Sequence, residues 1–439
     1  MFLHIPPMVR TVLGRLRHAS HQAYIVGGAV RDTLLGRPVT DWDVATSADT
    51  RTLRHLFRDK RCIVLKHHTV TVVGSEGSVE VTPFRGAESG LPADLSHRDF
   101  TLNAMAVDMK GEVLIDPHGG CRDIRLRLIR AVHDPIARFR EDPVRLLRAV
   151  RLQAELEYAI ESETLAAISV TAPWIKSTAT ERIRDEILKM LVSQRPSQAF
   201  TTLHRTGLLA HLIPELLEGH LMRQNPYHRY TVFKHTLQTL DRVAPTLVLR
   251  TTALLHDIAK PRVRTKVDGI WRFHGHETES SKMAETILNR LKCNKDLIRK
   301  VTHLIRHHLI GYTPSWSDAA VRRLIQRVGR ENIPELLTLR RADLATHVHG
   351  TPALHQLNAL ERRVKAELCA ASPTEVRDLC INGHTIMRAA GIPQGPQVGR
   401  MLRYLTEKVL ENPALNTEQQ LVDMVMRVKA SAWGEENKS

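Results

Sequence analysis

Aromatic residues make up only 4% of this 439-residue sequence, which disfavours a β-sandwich and favours helices rich in leucine, alanine and arginine. The five cysteines are scattered and form no Cys-x-x-Cys pair, which argues against a disulfide framework or a cysteine-based zinc site. No apolar run has membrane-spanning length, and the first residues lack the apolar core of a secretory signal. The sequence therefore predicts a soluble cytoplasmic protein with no membrane partner.

Positive charge is abundant, with 63 lysines and arginines against 47 acidic residues and a net charge of +16. The basic residues spread along the chain instead of forming a tail. This distribution predicts a folded groove for a polyanion such as RNA, although a merely basic protein is also compatible with it. The length predicts two to four domains.

The periodicity of apolar residues changes partway along the chain. Short strand-like runs alternate with helical segments up to about residue 135, at 23–26, 62–65, 69–73, 79–81 and 105–108. The turn at 74–77 predicts a hairpin between two of these runs. From Asp142 onward helical periodicity dominates. The pattern predicts an α+β protein, with a mixed α/β head followed by an all-helical body.

A glycine turn and two nearby aspartates stand out in the head. The strand-like run 23–26 leads into Gly27 and Gly28, and Asp41 and Asp43 follow one residue apart. In a strand, residues i and i+2 point to the same face. Two carboxylates beside a turn that lets the backbone approach phosphate suit a Mg²⁺-bound nucleotide.

Further motifs follow this pair in order: 97–104 (HRDFTLNA), 116–120 (DPHGG), 141–151 (EDPVRLLRAVR) and 181–186 (ERIRDE). Together they resemble the class II tRNA nucleotidyltransferases and bacterial poly(A) polymerases, over about the first 215 residues. The resemblance implies a polymerase β-like head that transfers a nucleotide from CTP or ATP to a tRNA 3′ end without a nucleic-acid template.

The resemblance also implies roles for individual residues. Asp41 and Asp43 would hold Mg²⁺, with Glu80 as a candidate third carboxylate or, alternatively, a solvent-facing strand residue. The resemblance implies that the triphosphate is bound by Gly27, Gly28, Arg31 and Asp32. It implies that the sugar and phosphates are bound by Arg98, Asp99 and Asn103. It implies that the base is bound by Asp142 and Arg145 with Arg148. A helix cap is the alternative role for Asp99.

Asp142 and Arg145 are three residues apart, which places them on one face if both belong to a single helix. A surface ion pair is the simplest interpretation of such a spacing. In the resembled family, the matching acceptor and donor read the Watson–Crick edge of the incoming nucleotide. On that interpretation the pair selects the nucleotide.

Two features depart from the resembled family. Only twelve residues, from Gly86 to His97, separate the strand segment that ends at Arg85 from the motif part that begins at Arg98, and they include no arginine. Relatives that add the whole CCA carry a longer, arginine-rich loop here, so the short connection predicts addition of the two cytidines alone. His68 stands where the family usually has a glycine.

Histidines are concentrated in the second half of the chain, at His235, His256, His274, His276, His307 and His308. With Asp257 and Asp343, they resemble the HD phosphohydrolase superfamily. The resemblance implies a transition metal such as Ni²⁺ or Mn²⁺ on His235, His256, Asp257 and Asp343, with His276, His307 and His308 as candidates for a second metal. It also implies a phosphatase or 2′,3′-cyclic phosphodiesterase, although some such domains mainly hold RNA.

The predicted domain plan has four parts: a nucleotidyltransferase head (1–140), a helical neck that selects the nucleotide and binds RNA (141–220), an HD domain (221–350) and a helical tRNA-binding tail (351–439). Two alternatives stay open on the sequence alone. One is a poly(A) polymerase that uses ATP on less defined RNA ends, and the other is an RNA-binding module with vestigial catalytic residues. The sequence does not indicate the oligomeric state.

Overall fold

The computed structural model describes residues 5–65, 68–75, 77–85, 90–108, 110, 112–225, 229–348, 350–370 and 372–432. The chain divides into two compact units, Met1–Leu217 and Glu218–Ser439. The first unit holds the α/β head and a helical extension, and the second is largely helical. This architecture confirms the predicted fold class, whereas the four-domain division stays a prediction.

One seven-stranded sheet organises the head, in the order β3-β4-β5-β2-β1-β6-β7. Its strands are β1 (Ala23–Val26), β2 (Asp43–Thr46), β3 (Arg61–Val64), β4 (Val70–Gly74), β5 (Gly77–Pro83), β6 (Ala106–Val107) and β7 (Leu114–Ile115). All neighbours are antiparallel except β2 and β5, which run parallel. The hairpin predicted at 74–77 is confirmed, because Gly74 pairs with Gly77 where β4 turns into β5.

Helices cover this sheet and bury its apolar residues. They are α1 (Pro7–His18), α2 (Gly28–Leu34), α3 (Thr50–Leu56), α4 (Leu91–Ser96) and α5 (Gly120–Leu126). Val9, Val12 and Leu16 of α1 pack in one apolar core with Ile25 of β1 and Val44 of β2. This core supports the short strands on which the candidate site residues lie.

The rest of the first unit is helical: α6 (Pro135–Glu141), α7 (Val144–Leu156), α8 (Ser162–Thr171), α9 (Thr180–Leu191), α10 (Pro196–Arg205) and α11 (Leu209–Leu212). A small parallel pair, β8 (Leu128–Ile129) and β9 (Ala159–Ile160), accompanies them. Helix α6 begins at Pro135, and the Asp134 carboxylate accepts hydrogen bonds from two backbone N–H groups of its first turn.

The second unit contains ten helices among the described residues: α12 (Val232–Arg242), α13 (Leu247–Leu255), α14 (His276–Arg290), α15 (Lys295–His307), α16 (Asp318–Val328), α17 (Ile333–Leu344), α18 (Gly350–Cys369), α19 (Gly383–Ala390), α20 (Pro396–Glu411) and α21 (Glu418–Ala432). Side chains of Thr231, Thr246, Asn294 and Ser317 cap the N-termini of α12, α13, α15 and α16. No described helix is both long enough and apolar enough to span a membrane.

This unit is not entirely helical, contrary to the prediction of an all-helical body. Strands β10 (Thr265–Val267) and β11 (Ile270–Arg272) form an antiparallel hairpin. Its two turn residues, Asp268 and Gly269, both have positive φ, at 50° and 75°. An Asp-Gly pair is a strong hairpin signal because both residues tolerate that backbone region.

Candidate active site and candidate metal centre

The turn after β1 requires glycine at position 27. Gly27 has φ +76°, and a Cβ there would lie 3.0 Å from Nη1 of Arg98 and 3.2 Å from Oδ2 of Asp43. Both its backbone conformation and the close approach of two charged side chains therefore exclude a larger residue. The turn brings a predicted phosphate ligand and a predicted metal ligand to the same point.

Asp43 and Glu80 lie opposite each other on the parallel strands β2 and β5. Burial raises the pKa of Asp43, although Arg98 and Arg148 oppose that rise. Burial and the nearby carboxylates of Asp43 and Asp41 raise the pKa of Glu80. Mutual repulsion between oxygen donors is relieved by a bound divalent cation, so this donor set fits Mg²⁺.

Asp41 is exposed and precedes β2, which begins at Asp43. The argument that a shared strand aligns the two aspartates is therefore wrong, because the alternation of a strand does not extend to Asp41. Asp41 nevertheless lies close enough to raise the pKa values of Asp43 and Glu80. Register between two strands, instead of spacing within one, places the second carboxylate, Glu80, opposite Asp43.

Asp99 is buried and held by a network. Its Oδ1 accepts hydrogen bonds from the Phe100 backbone N–H at 2.9 Å and the Asn103 amide at 3.1 Å, and its Oδ2 lies 3.1 Å from Arg148. Burial alone would raise the pKa of Asp99, but Arg148 and these hydrogen bonds lower it to about 2. Asp99 is thus an ionised anchor for Arg148, and Phe100, not Asp99, precedes the short turn 101–103 as its cap position.

Arg31 and Asp32 support the site from outside the cavity. The Arg31 guanidinium donates to both oxygens of Asp32 at 2.9 and 2.8 Å and to Oδ1 of Asn103 at 2.7 Å. Its N–H donors are therefore directed at two protein side chains, Asp32 and Asn103, and the contact with Asn103 orients that amide. The structure does not bring Arg31 or Asp32 into the cavity lining.

Asp142 and Arg145 do not lie in the same helix. The prediction that helical spacing places them on one face is therefore wrong. Helix α6 ends at Glu141, Asp142 is extended with φ −152° and ψ 96°, and Pro143 precedes α7. Asp142 accepts two hydrogen bonds from Arg182 of α9, whereas Arg145 donates to Glu141 and to the carbonyl of His97 at 2.9 Å each.

A cavity of about 920 Å³ gathers these groups within the first unit. The predicted residues that line it are Gly27, Gly28, Asp43, Glu80, Arg98, Asp99, Asn103, Asp142, Arg145 and Arg148. Arg85, Glu141 and Arg182 line it as well and were not predicted. Glu141 and Arg182 lie within the motifs at 141–151 and 181–186 and were recognisable as candidates, although only helix packing places Arg182 at the cavity.

His68 lines the same cavity and has φ +66°. This is the left-handed region that favours glycine, the residue that the resembled family usually has here. Histidine therefore occupies a conformation with a steric cost of about 1 kcal/mol.

Of the connection from 86 to 97, residues 86–89 lie outside the described part, and α4 occupies most of the remainder.

A second cluster lies within the second unit, on α12, α14, α17 and the segment after α13. The predicted ligands His235, His256, Asp257 and Asp343 are brought together and buried. His235 Nε2 lies 3.2 Å from Asp257 and 3.1 Å from Asp343, and His256 Nε2 lies 3.3 Å from Asp257. The ligand atoms of His235, His256 and Asp257 all lie within 4.8 Å of one another.

The other carboxylate oxygen of Asp257 faces two more imidazoles. His276 Nε2 lies 3.2 Å and His308 Nε2 3.8 Å from Oδ1 of Asp257, which adds both to the cluster as predicted candidates. His307 is not part of it and pairs its ring with His303 at 4.7 Å. His347, not predicted, lies 3.3 Å from Asp343 and follows it by four residues, beyond the end of α17.

Hydrogen bonds establish which nitrogen of each imidazole carries a proton. Nδ1 of His256, His276 and His308 each contacts a backbone carbonyl at 2.7–2.9 Å and therefore donates. Thr346 gives its single proton to the Asp343 carbonyl, so Nδ1 of His235 must donate to the Thr346 hydroxyl. The Nε2 lone pairs consequently face carboxylate oxygens, an arrangement that needs a cation or additional protons between them.

The charges of this cluster agree with a metal-binding role. Burial would raise the pKa of Asp257 and Asp343, but neighbouring histidines and cations hold both well below the usual value. Burial lowers the pKa of His308 to about 3, which keeps it neutral. Burial would lower the pKa of His235, but hydrogen bonds and charges of Asp257 and Asp343 outweigh burial and raise it. Buried carboxylates and imidazoles together form a donor set that fits one or two transition-metal ions.

A cavity of about 370 Å³ opens onto this cluster. Lys260 lies 2.6 Å from Asp257, and Arg340 donates to Asp343 at 2.6 Å. Arg272 and Trp271 of β11 line the same cavity, as does His274. Cations beside a metal-ligating pair are suited to a phosphate group.

Three segments of the chain match known protein families. Residues 23–130 match the poly(A) polymerase head domain, residues 157–219 the family described as "Probable RNA and SrmB- binding site of polymerase A", and residues 265–425 the tRNA nucleotidyltransferase domain 2. The matches cover the head, the helical extension and most of the second unit.

Relatives match nearly the whole length. The chain is 33% identical over 409 residues to the A-adding tRNA nucleotidyltransferase of Deinococcus radiodurans, covering 88% of this chain and 91% of that protein. It is 30% identical over 439 residues to the CCA-adding enzyme of Levilactobacillus brevis, covering 96% and 98%. The crystal structure of the Bacillus stearothermophilus CCA-adding enzyme in complex with CTP has a TM-score of 0.74 at 27% identity and covers 99% of this chain and 100% of that one.

These matches confirm the resemblance drawn from the head motifs. The chain therefore belongs to the class II tRNA nucleotidyltransferases, the family of the CCA-adding enzymes.

Proposed function

We propose that this nucleotidyltransferase adds nucleotides from CTP to the 3′ end of tRNA. The observation that carries the proposal is a single cavity that joins the carboxylates of Asp43 and Glu80 to Asp142 and Arg145. A nucleotide spanning that cavity places its triphosphate at one end and its base at the other. The net charge of +16 supports a tRNA partner, because tRNA is held largely through shape and phosphate contacts.

Each group in the cavity has a chemical task. Asp43, Asp41 and Glu80 would hold Mg²⁺, which lowers the pKa of the attacking 3′-hydroxyl and neutralises the triphosphate. The hydroxyl oxygen bonds to the α-phosphorus, the α–β bridging bond breaks, and pyrophosphate leaves. Arg98 and the backbone at Gly27 and Gly28 lie where they can bind the phosphates.

Base selection belongs to Asp142 and Arg145. A cytosine offers an amino donor next to a ring acceptor, which matches one carboxylate and one guanidinium. Arg145 is oriented by Glu141 and the His97 carbonyl, so its position does not depend on the nucleotide. Arg148, which lines the cavity, is held by Asp99.

We propose that addition stops after two cytidines. The short, arginine-free connection between Gly86 and His97 supports this, because it is too short to act as a lever that reshapes the pocket for ATP. A second candidate is addition of the terminal adenosine alone. The specific observation favouring it is the 33% identity to an A-adding tRNA nucleotidyltransferase.

One assay separates these activities. The purified protein is incubated with Mg²⁺ and either CTP, ATP or both, on tRNA that ends before CCA and on tRNA that ends in CC. Two added cytidines with no adenosine support the proposal. Addition of adenosine only to the CC end favours the second candidate, and a complete CCA contradicts the two-cytidine limit. Long adenosine tails on arbitrary RNA would indicate a poly(A) polymerase, and no addition at all a vestigial site.

We further propose that the second unit is an HD-type, metal-dependent phosphohydrolase acting on phosphate esters, with Ni²⁺ or Mn²⁺ as its metal. Lone pairs of several imidazoles facing Asp257 and Asp343 support a resident metal, and Lys260 and Arg340 support a phosphate ligand. Water would add to phosphorus, one ester P–O bond would break, and the leaving oxygen would take up a proton.

Hydrolysis of 2′,3′-cyclic AMP in the presence of Ni²⁺, Mn²⁺ or Mg²⁺ tests this second activity. Activity that disappears in His256→Ala and Asp257→Ala supports it. Equal activity in the wild type and these variants would contradict it.

A further inference from the structure

Helix α4 lies at the end of the short connection that leads from β5 to the 97–104 motif, and it is packed on the sheet. Leu91 and Leu95 of α4 are buried. They belong to one apolar cluster with residues of three neighbouring strands, β1, β2 and β6, namely Val26, Ala45 and Ala106. Because α4 rests on these strands, its remaining side chains keep fixed positions relative to the turn that follows β1.

Asp94 of α4 is a fully buried carboxylate that contacts two segments of the chain. Its Oδ2 accepts hydrogen bonds from Nε and Nη2 of Arg98, at 3.1 and 2.9 Å, and its Oδ1 accepts one from the backbone N–H of Arg85 at 3.3 Å. A buried carboxylate needs such partners to offset its lost hydration. Arg85 and Arg98 both line the cavity of the first unit. One carboxylate therefore holds both segments from which these arginines extend.

The contact with Asp94 uses Nε and Nη2 of Arg98 and leaves Nη1 for another ligand. Nη1 lies 3.0 Å from the position that a Cβ would occupy at Gly27, and Oδ2 of Asp43 lies 3.2 Å from the same position. A guanidinium is planar and rigid, so a contact that fixes one edge also fixes the direction of the remaining N–H donors. Asp94 therefore directs Arg98 toward the turn that we propose to bind the phosphates.

Arg85 supplies a second guanidinium to the same part of the cavity. It is exposed and lines the cavity. It lies close enough to Asp43 for its charge to oppose the burial-driven rise in the pKa of that carboxyl, as the charge of Arg98 also does. The two guanidiniums carry two positive charges, and the Asp94 carboxylate compensates only one of them. Like charges held in one place favour a bound anion, which is here the triphosphate.

We propose that Arg85 and Arg98 together bind the β- and γ-phosphates of the incoming nucleotide, as a pair that we name the two-arginine clamp, and that Asp94 is the positioning residue that holds both. The proposal rests on the nucleotidyl transfer proposed above and adds Arg85 and Asp94 to its residues. Attack occurs at the α-phosphorus beside the metal, so the clamp serves the two phosphates that leave as pyrophosphate. Guanidinium N–H donors suit phosphate oxygens and stabilise the negative charge that develops on the leaving group. Arg85 contacts the nucleotide, whereas Asp94 acts only through the arginines.

Affinities for CTP and CMP separate recognition of the outer phosphates from recognition of the base. Isothermal titration calorimetry in the presence of Mg²⁺ measures both dissociation constants for the full-length wild type, Arg85→Ala and Asp94→Asn. Each variant should bind CTP at least about tenfold more weakly, because contacts to charged phosphates are lost or misaligned. CMP lacks the β- and γ-phosphates, so its affinity should change less than about twofold.

Asp123→Asn is the matched control. Asp123 is also a buried carboxylate of the head, accepts a hydrogen bond from Thr101 at 2.7 Å and pairs with Arg130 at 3.2 Å, but it does not line the cavity. Its substitution should lower stability and leave the ratio of the CTP and CMP dissociation constants unchanged. In the double variant Asp94→Asn/Arg98→Ala, the loss of CTP affinity should be smaller than the two single losses combined, because both changes disrupt one contact.

Equal weakening of CTP and CMP binding in Asp94→Asn, or losses that add fully to those of Arg98→Ala, would show that Asp94 only stabilises the fold and would overturn its positioning role. Unchanged CTP affinity in Arg85→Ala overturns the two-arginine clamp. If Asp94→Asn does not fold, Asp94→Glu takes its place, because it keeps the charge but displaces the carboxylate, and the same selective loss is expected.

The two-arginine clamp contacts phosphates and no base, so ATP and AMP replace CTP and CMP if nucleotide addition proves to use ATP. A selective loss of triphosphate affinity in a protein that adds no nucleotide to tRNA contradicts the proposed function and supports the clamp. Unchanged affinities of the variants of a protein that does add nucleotides contradict the clamp and leave the proposed function intact.

Discussion

The carboxylate of Asp142 accepts hydrogen bonds at 2.9 and 2.7 Å from the two terminal nitrogens of the Arg182 guanidinium, across 40 residues of chain. A two-point contact of this kind fixes the plane of the carboxylate as well as its position. Each oxygen retains a lone pair that can accept a proton from a base. Arg182 thereby orients the acceptor that we propose to select the nucleotide.

Arg182→Ala should reduce discrimination between CTP and the other nucleotides by about tenfold, because Asp142 becomes free to rotate. The measurement is kcat/KM for CTP, ATP and UTP on tRNA that lacks CCA. Arg184→Ala on the same helix is the control, since Arg184 pairs with its neighbour Asp185. A uniform loss for all nucleotides would mean that Arg182 has only a structural role.

Asp43→Asn should lower nucleotide addition by about 10³-fold, because it removes a proposed metal ligand. Its melting temperature in the presence of a chelator should be unchanged or higher, since the Asp43 carboxylate is partly desolvated and its pKa is raised. Nucleotide addition and thermal unfolding are measured on the same preparation. Addition at the wild-type rate would show that Asp43 is not a metal ligand.

The ionised Asp99 should stabilise the folded head in a pH-dependent manner. Its pKa of about 2 lies below the ordinary value of 3.8, so its contribution is complete above pH ~4 and is lost as the pH falls toward 2. The contribution at neutral pH corresponds to about 2 kcal/mol. Urea unfolding should show a constant difference between wild type and Asp99→Asn from pH 8 to about 5, and a smaller difference below pH ~4. A difference that does not change over this range would contradict the assigned pKa.

Substitutions at His68 should separate backbone strain from side-chain function. His68→Gly should leave stability unchanged or raise it by up to about 1 kcal/mol, because glycine adopts φ +66° without a steric cost. His68→Val should destabilise by about 1 kcal/mol or more, since a β-branched residue is disfavoured in that region. Denaturant unfolding measures both changes. Equal stability of the two variants would show that this backbone conformation does not decide stability.

Metal binding by the second unit should be visible without any activity assay. Saturating Mn²⁺ or Ni²⁺ should stabilise the protein by about 3 kcal/mol when present at a hundredfold excess over its dissociation constant. The thermal shift should persist in Asp43→Asn, which alters only the first unit, and should disappear in His256→Ala/Asp257→Ala. A shift of the same size in both variants would place the metal elsewhere.

Local patterns predicted much of the head. The hairpin between β4 and β5 followed from a glycine-bounded turn, and Gly27 followed from the junction of an apolar strand and a helix. Such features depend on backbone preferences of a few adjacent residues, which the sequence expresses directly. The Asp268-Gly269 turn carried the same kind of signal but stood within a region that otherwise reads as helical.

Predictions that placed two residues in the same strand or the same helix were less reliable. Asp41 lies outside β2, and Asp142 lies between two helices, so neither pairing arises from the spacing that suggested it. Both residues were nonetheless placed near the correct neighbours. Element boundaries depend on capping and on tertiary packing, which spacing rules do not contain.

The sequence by itself determined the family, the mixed head and the kinds of ligand present, because motifs in order and residue chemistry are local properties. The tertiary structure alone placed Glu80 opposite Asp43, Arg182 on Asp142, and His347 beside Asp343. The first two contacts join residues tens of positions apart, through strand order and helix packing. In the third, His347 follows Asp343 by four residues but lies beyond the end of α17, so its contact depended on how the chain turns after that helix. Periodicity describes which face of an element a residue occupies, whereas only packing decides what that face meets.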